Sequence, residues 1–231
     1  MGKHNEVSAI VVARKGSVRV VGKNSRMLAG EPLFIRKLRQ LQACHYVDRV
    51  IFGSDDDQMI SEARDIGCEV IHRPEFFCDE TRASANDMIE NMMNSISTDV
   101  IVWAHCTNPL ISTQTYDLAI KTFFIKRDIF DSLLSVVELR EHLWHKTVAG
   151  IVPLNYNPYS LRHTPARELQ PYYMQDGGIF IQPYLQMKHN CYFFGRKPYH
   201  FIIPQSEFLD INEERDFLLA ERILEKAAQP L

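Results

Sequence analysis

The feature that most constrains this chain is an alternation of short, wholly apolar runs with longer segments of helical spacing. Val7 to Val12 is β-rich and lacks polar alternation, as expected of a strand covered on both faces in a parallel sheet. Arg49 to Phe52, Cys68 to Ile71, Val100 to Trp103 and Ser132 to Val137 read as further short strands. Helical patterns separate them, at about Pro32 to Ala43, Ala83 to Ile96 and Thr113 to Arg127. Another runs from a cap at Ser54 or Asp55 to about Ile66. Pro32 suits a first helical turn. Strands alternating with amphipathic helices predict βαβ units with right-handed crossovers. The first two-thirds is therefore expected to be α/β, a Rossmann-like doubly wound and mostly parallel sheet.

From Glu138 to Pro171 the rhythm changes to a stretch rich in His, Tyr, Pro and Asn. It reads as an inserted arm and a dimer contact. Regularity returns at Gly178 to Ile181, at Tyr199 to Ile203 and in a closing helix from about Glu213 to Ala227. Residues 1–231 are expected to form one domain with the arm at about 138–171.

Lys plus Arg number 26 against 29 Asp plus Glu, a net charge of −3, so the basic excess of a nucleic-acid binder is absent. No apolar run approaches the roughly 18 to 20 residues that span a bilayer. The N-terminus shows no signal-peptide pattern. A cytoplasmic protein without nucleic-acid or membrane partners is the expectation. The five cysteines are scattered and form neither a disulfide framework nor a paired zinc knuckle.

Directly after the first strand comes Ala13-Arg14-Lys15-Gly16-Ser17-Val18-Arg19-Val20-Val21-Gly22-Lys23-Asn24. Ligands of open α/β sheets lie at the carboxyl ends of strands, where this loop must sit. Glycine lets backbone N–H groups approach phosphate oxygens, and Arg and Lys neutralise them. The order matches neither a Walker A nor a GxGxxG loop. Taken alone, the loop is either a phosphate cradle or a solvated basic surface.

The order Ala-Arg-x-Gly-Ser-x-Arg-x-x-Gly-Lys-Asn resembles the opening motif of the acylneuraminate cytidylyltransferases, the CMP-sialic acid synthetase family. Its members also activate pseudaminic, legionaminic and ketodeoxyoctonic acids. The resemblance continues in chain order. Leu28-Ala29-Gly30-Glu31-Pro32-Leu33 is similar to the family's LxGKPLI segment, and Asp48-Arg49-Val50 with Gly53-Ser54-Asp55-Asp56 to its DRVxVSTDD. Cys68-Glu69-Val70 with Arg73-Pro74 resembles GAEVxxRP, and Cys106-Thr107-Asn108-Pro109-Leu110 resembles QPTSPLR. Gln175-Asp176-Gly177-Gly178-Ile179-Phe180-Ile181 is similar to xNGAIYI. Leu209-Asp210-Ile211-Asn212, with Asp216-Phe217 and Ala220-Glu221, resembles DIDTxEDxxxAE.

The resemblance implies a nucleotide-diphospho-sugar transferase type of fold. It also implies a reaction in which the anomeric hydroxyl of a sugar acid attacks the α-phosphorus of CTP, with Mg²⁺ offsetting phosphate charge. Arg14, Lys23 and Asp210 would be catalytic. Arg14, Ser17, Arg19, Lys23, Asn24, Arg73 and Ser84 would bind nucleotide; Ser84 is equally a helix cap. His105, Arg167, Gln175 and Asp176 would bind the sugar, Arg167 through its carboxylate and with Arg162 nearby. Asp210 and Asn212 would bind the metal, the alternative being that they cap the last helix. The partners implied are CTP, an acidic sugar and a second copy of the chain in a homodimer.

The chain also departs from the family. Val18 replaces the usual Lys and Val21 the usual Pro, His105 stands for Gln, Asp176 for Asn and Asn212 for the second Asp. An ionised Asp only accepts hydrogen bonds, so Asp176 would favour a hydroxyl or ammonium on the sugar. Two readings follow: an enzyme for an unusual acid sugar, or a non-catalytic homologue that binds nucleotide or sugar. Asp55-Asp56-Asp57 reads as a helix start more than as a glycosyltransferase metal motif. His142 and His145 have no third ligand at zinc spacing.

Overall fold

A computed structural model of the chain describes residues 5–17 and 20–228. Val18 and Arg19 lie outside the described residues. The chain opens with β1 (Val7–Val12), and two short paired strands, β2 (Met27–Leu28) and β3 (Glu31–Pro32), lead to α1 (Leu33–Gln42). The alternation expected from the apolar runs follows: β4 (Arg49–Ser54), α2 (Asp57–Asp65), β5 (Glu69–His72) and α3 (Ala85–Asn94). It continues through β6 (Val100–Ala104), α4 (Thr113–Lys126) and β7 (Ser132–Leu139). A hairpin of β8 (Trp144–Thr147) and β9 (Gly150–Pro153) precedes β10 (Tyr172–Pro183), α5 (Tyr184–Asn190), β11 (Pro198–Ile202) and α6 (Glu214–Ala228).

The seven-stranded sheet has the order β11-β7-β10-β6-β1-β4-β5. Every neighbouring pair is parallel except the two made by β10, which runs antiparallel between β6 and β7. β4 and β5 extend from one side of β1 and β6 lies on the other, which creates a switch point where ligands of such sheets bind. Side chains leave successive strand positions on opposite faces. Val7, Ala9 and Val11 accordingly join one core with α1, α2, α4 and α6, while Ile10 joins a second with α3 and α5. Val102 against Trp103 and Ile179 against Phe180 divide the same way. The fold is the doubly wound α/β sheet expected.

Three details differ from the sequence reading. The cap of α2 is Asp56, whose carboxylate accepts from the backbone N–H of Gln58 and Met59. Ser54 instead completes β4 and accepts from the Asp56 N–H, while Asp55 accepts from the Lys15 N–H. Pro32 is the cap of α1 and not its first residue, because its ψ of 141° is not helical. The strand expected over Gly178 to Ile181 is twelve residues long. Its outer half pairs Tyr172–Gln175 with Val136–Leu139 before a bulge, and Tyr173 to Gln175 are exposed, so no apolar run announces it. Of the five cysteines, all free, four are buried, and burial pushes the Cys44 thiol up to about 12. Those thiols are neutral and chemically quiet.

Candidate active site

The carboxyl ends of β1, β5 and β6 surround a cleft of about 330 Å³, at the switch point of the sheet. Arg14, Ser17, Lys23 and Asn24 enter it from the loop after β1, and Arg73 from the end of β5. Ser84 comes from the start of α3, and His105, Cys106 and Thr107 from the end of β6. Arg14, Ser17, Lys23, Asn24, Arg73, Ser84 and His105, assigned to binding from sequence, are therefore neighbours here.

The loop is shaped by its own backbone. Gly22 adopts a φ of +60°, a region that favours glycine, and its carbonyl accepts from the N–H groups of Ser25 and Arg26. Asn24 spends its amide inside the protein. Its Nδ2 donates to the Arg14 carbonyl at 3.2 Å, and its Oδ1 accepts from the Cys106 thiol at 3.2 Å. It holds the two ends of the loop together, so any contact with nucleotide uses the second N–H or the remaining lone pair.

Lys23 projects across the cleft, its Nζ donating to the Ile211 carbonyl at 2.7 Å. The Ile211 N–H donates in turn to the Thr107 carbonyl at 2.9 Å. Arg26 stacks over Phe217 at 4.0 Å and pairs with Glu214. These contacts bring the Asp210–Asn212 segment beside the cleft, against Lys23, Thr107 and His105, although it is remote in sequence. There the Asn212 amide donates to Asp210 Oδ2 at 2.7 Å, and the Asp216 carboxylate, not Asp210 or Asn212, receives the N–H groups of Asn212 and Glu213. Capping of α6 therefore falls to Asp216, and the second Asp210 oxygen accepts no hydrogen bond among the described residues.

Arg73 is 2% exposed, and one guanidinium nitrogen donates to the Phe77 carbonyl while its Nε has no partner among the described residues. A Cβ on Gly53 would stand 2.8 Å from the Arg73 Cδ, so the bare glycine is what lets this chain reach the cleft. Burial lowers the guanidinium from its ordinary value, with the Asp55 carboxylate opposing; Arg remains charged. Arg14 pairs with Glu80 at 2.9 Å on the cleft rim. Ser84 caps α3 in a reciprocal box with Asp87, so its hydroxyl is already engaged.

His105 forms the other wall, its ring set edge-on to Phe180 and Phe193. Burial holds its imidazole below the ordinary value, and the Asp210 carboxylate works against that. Asp176 is 5% exposed and bonded to the Gly178 N–H, and burial raises its carboxyl above the ordinary range. It lies beneath the wall and does not line the cleft. Gln175 is exposed on β10. Arg167 is 82% exposed beside Glu168, which also pairs with Arg162. Within one chain the structure does not bring Gln175 or Arg167 to the cleft. His142 stacks on His163 and meets the Thr164 carbonyl. No cluster of three or more metal-ligating side chains occurs among the described residues.

Three cationic side chains, Arg14, Lys23 and Arg73, thus line a cleft that also holds the His105 imidazole, with the Asp210 carboxylate near that ring. Such a site can take a polyphosphate. A family model described as cytidylyltransferase matches residues 8–226. The chain belongs to the cytidylyltransferase family. The N-acylneuraminate cytidylyltransferase of Escherichia coli O18:K1:H7 (strain RS218 / NMEC) is 28% identical over 96% of this chain and 52% of its own. The 3-deoxy-manno-octulosonate cytidylyltransferase of Chlorobium chlorochromatii (strain CaD3) is 34% identical over 50% of this chain and 44% of its own. This cytidylyltransferase-family chain spans about half the length of the curated relatives it matches. Among solved structures, CMP:2-keto-3-deoxy-manno-octonic acid synthetase complexed with CTP superposes with a TM-score of 0.66 at 12% identity, covering 96% of this chain and 99% of that one. The 4-diphosphocytidyl-2C-methyl-D-erythritol synthase of Anaerococcus prevotii DSM 20548 gives 0.68 at 10% identity, covering 96% and 97%. Both share the fold.

Sequence reasoning missed Glu80 and the cleft-lining Cys106. Glu80 is one acid in an irregular loop, and no periodicity distinguishes it from a solvated one. Cys106 was quoted only within a motif, and its thiol bond to Asn24 has no sequence signal.

Proposed function

We propose that the chain transfers CMP from CTP to the anomeric hydroxyl of a sialic-acid-like or related sugar acid. The hydroxyl oxygen forms a bond to the α-phosphorus, the bond from that phosphorus to the β-phosphate oxygen breaks, and pyrophosphate leaves. The proton of the hydroxyl passes to solvent or buffer. The observation that carries this reading is the convergence of Arg14, Lys23, Arg73 and His105 on one cleft, with the Asp210 carboxylate near enough to act on the imidazole. Fixed cations aimed where charge accumulates stabilise phosphoryl transfer without reorganising during the reaction.

Arg14 and Lys23 hold the triphosphate, Ser17 and the loop N–H groups assist, and Asn24 keeps the loop in shape. Arg73 closes the nucleotide end beside Ser84. His105, neutral at pH 7, offers a hydrogen bond to the sugar. Asp210 with Asn212 would hold Mg²⁺. One carboxylate and one amide are a thin set by themselves, but they suit an ion that keeps several waters and arrives with phosphates. When bound, that ion would offset the charge of the phosphate oxygens.

The hairpin β8–β9 exposes Trp144, Val148 and Ile151, and Leu154 follows it. An apolar arm of this kind supports a homodimer in which Arg167 and Gln175 reach the partner's cleft. Light scattering at a monomer mass would end the dimer reading. The transfer itself is tested by pyrophosphate release with CTP and Mg²⁺ across a panel of nonulosonic and ketodeoxy sugar acids. Release with a sugar acid, and far less with ATP, GTP or UTP, is expected. Silence across the panel from folded protein would replace transfer with nucleotide or sugar binding alone.

A further inference from the structure

Lys37 lies on α1, is 1% exposed, and has no part in the chemistry above. Its Nζ donates to the Asn108 carbonyl at 2.8 Å and to the Tyr116 hydroxyl at 2.9 Å. That hydroxyl donates onward to the Gly178 carbonyl at 3.3 Å. The Asn108 side chain donates to the Asp176 carbonyl at 3.1 Å. One buried amine therefore joins α1 and α4 to two segments, the loop after β6 and the bulge in β10.

The first segment lines the cleft with His105, Cys106 and Thr107, and the second backs it from behind. His105 begins the first, and its Nδ1 lies 3.6 Å from where a Cβ on Gly177 would stand, between the two carbonyls held by the network. Taking an amine wholly out of water is unfavourable unless its hydrogen bonds are made, and an apolar residue would fit the inner face of α1 without that cost. Asn108 Oδ1 has no partner among the described residues. The joining is therefore carried by the bonds of the Lys37 amine, the Tyr116 hydroxyl and the Asn108 Nδ2, and buried bonds of this kind rigidify what they connect. The nucleotide side has mainly other supports: Arg14 follows β1, Arg73 follows β5 and Ser84 caps α3, while Asn24 and Lys23 meet the loop after β6 through the Cys106 thiol and the Ile211 carbonyl.

We propose that Lys37 is a positioning residue that locks the loop after β6 to the β10 bulge, and so sets affinity for the second substrate while leaving nucleotide affinity alone. Only the identity of that substrate, an acid sugar, rests on the transfer reaction proposed above.

Amide hydrogen exchange on the full chain tests the locking, with wild type, Lys37→Met and Tyr116→Phe. The second variant keeps the ring and removes only the hydroxyl, so it guards against a Lys37→Met protein that fails to fold. Amides of residues 105–110 and 176–180 should exchange about tenfold faster in each folded variant, and those of residues 69–73, at the Arg73 end of the cleft, should not change. Unchanged exchange in Tyr116→Phe, or an equal rise throughout the chain, overturns the proposal. Kinetics then test the consequence. The KM for the sugar acid should rise about tenfold and that for CTP less than about twofold, and a parallel rise in both contradicts the assigned selectivity. Exchange needs no turnover. Wild-type protein that releases no pyrophosphate would refute the transfer reaction, while the exchange result would still decide the role of Lys37.

Discussion

Glu80 and Lys23 have opposite effects on the charge of the cleft. The Arg14–Glu80 pair, at 2.9 Å with Glu80 largely exposed, occupies a cation that a phosphate would otherwise meet. An exposed pair of this kind is worth up to about 1 kcal/mol, so Glu80→Gln should tighten CTP binding by up to about fivefold, read by calorimetry. Weaker binding in that variant would mean that Glu80 positions Arg14 and does not compete for it. Lys23→Ala should lose turnover by about a hundredfold or more, because a charge-assisted contact to the phosphates disappears; a wild-type rate would remove the nucleotide from this cleft. At this scale the sequence was informative where motif and geometry coincide, as for Arg14, Ser17 and Lys23. It was uninformative for Lys37, which reads as one more polar residue on an amphipathic helix until the fold turns it inward.

Caps and strand ends decide how these residues are presented. Asp56, the middle member of an acidic triplet, accepts two backbone N–H groups at the start of α2. Asp56→Ala should therefore cost about 1 kcal/mol in urea unfolding and leave CTP-dependent activity unchanged. Loss of activity without loss of stability would revive a metal role for the triplet. Strands β1, β4, β6 and β7 were legible because a strand buried on both faces needs an unbroken apolar run, whereas the two-residue β2 and β3 were not. The outer half of β10 was not, since it pairs with β7 beyond the core and its side chains stay exposed. The site followed the same rule. The β1 loop could be placed from its position after a strand, whereas the approach of Asp210 depends on the Lys23 side-chain bond to the Ile211 carbonyl and the Ile211 N–H bond to Thr107, which no spacing encodes.

For the molecule as a whole, the buried amine links stability to pH. Burial lowers Lys37 from 10.5 to about 7, against the influence of Cys106, Cys44 and Glu207 and with that of Arg36. Below pH 7 the amine is charged in both folded and unfolded chains, and the fold bears the full cost of burying it. Between about 7 and 10.5 the unfolded chain binds more protons, so this group makes stability rise with pH, by up to about 1.4 kcal/mol per unit. The buried thiols act oppositely. Cys106, raised from 9.0 to about 11, favours the fold at lower pH and loses that contribution as pH climbs through this range. Between about pH 7 and 9 the folded Cys106 and Cys44 thiols stay protonated, so comparing wild type with Lys37→Met in that window isolates the amine. The stability of the variant relative to wild type should fall as pH rises from about 7 to 9, and a pH-independent difference would contradict an amine that titrates within the fold.

The central claim is that a cytidine nucleotide is joined to a sugar acid in this cleft. Mass analysis of the products formed from CTP and each sugar acid tests it most directly. The account predicts one CMP-sugar and one pyrophosphate per CTP consumed, with UTP, ATP and GTP left nearly intact. CTP recovered unchanged from every incubation with folded protein, or UTP consumed as readily, would contradict it.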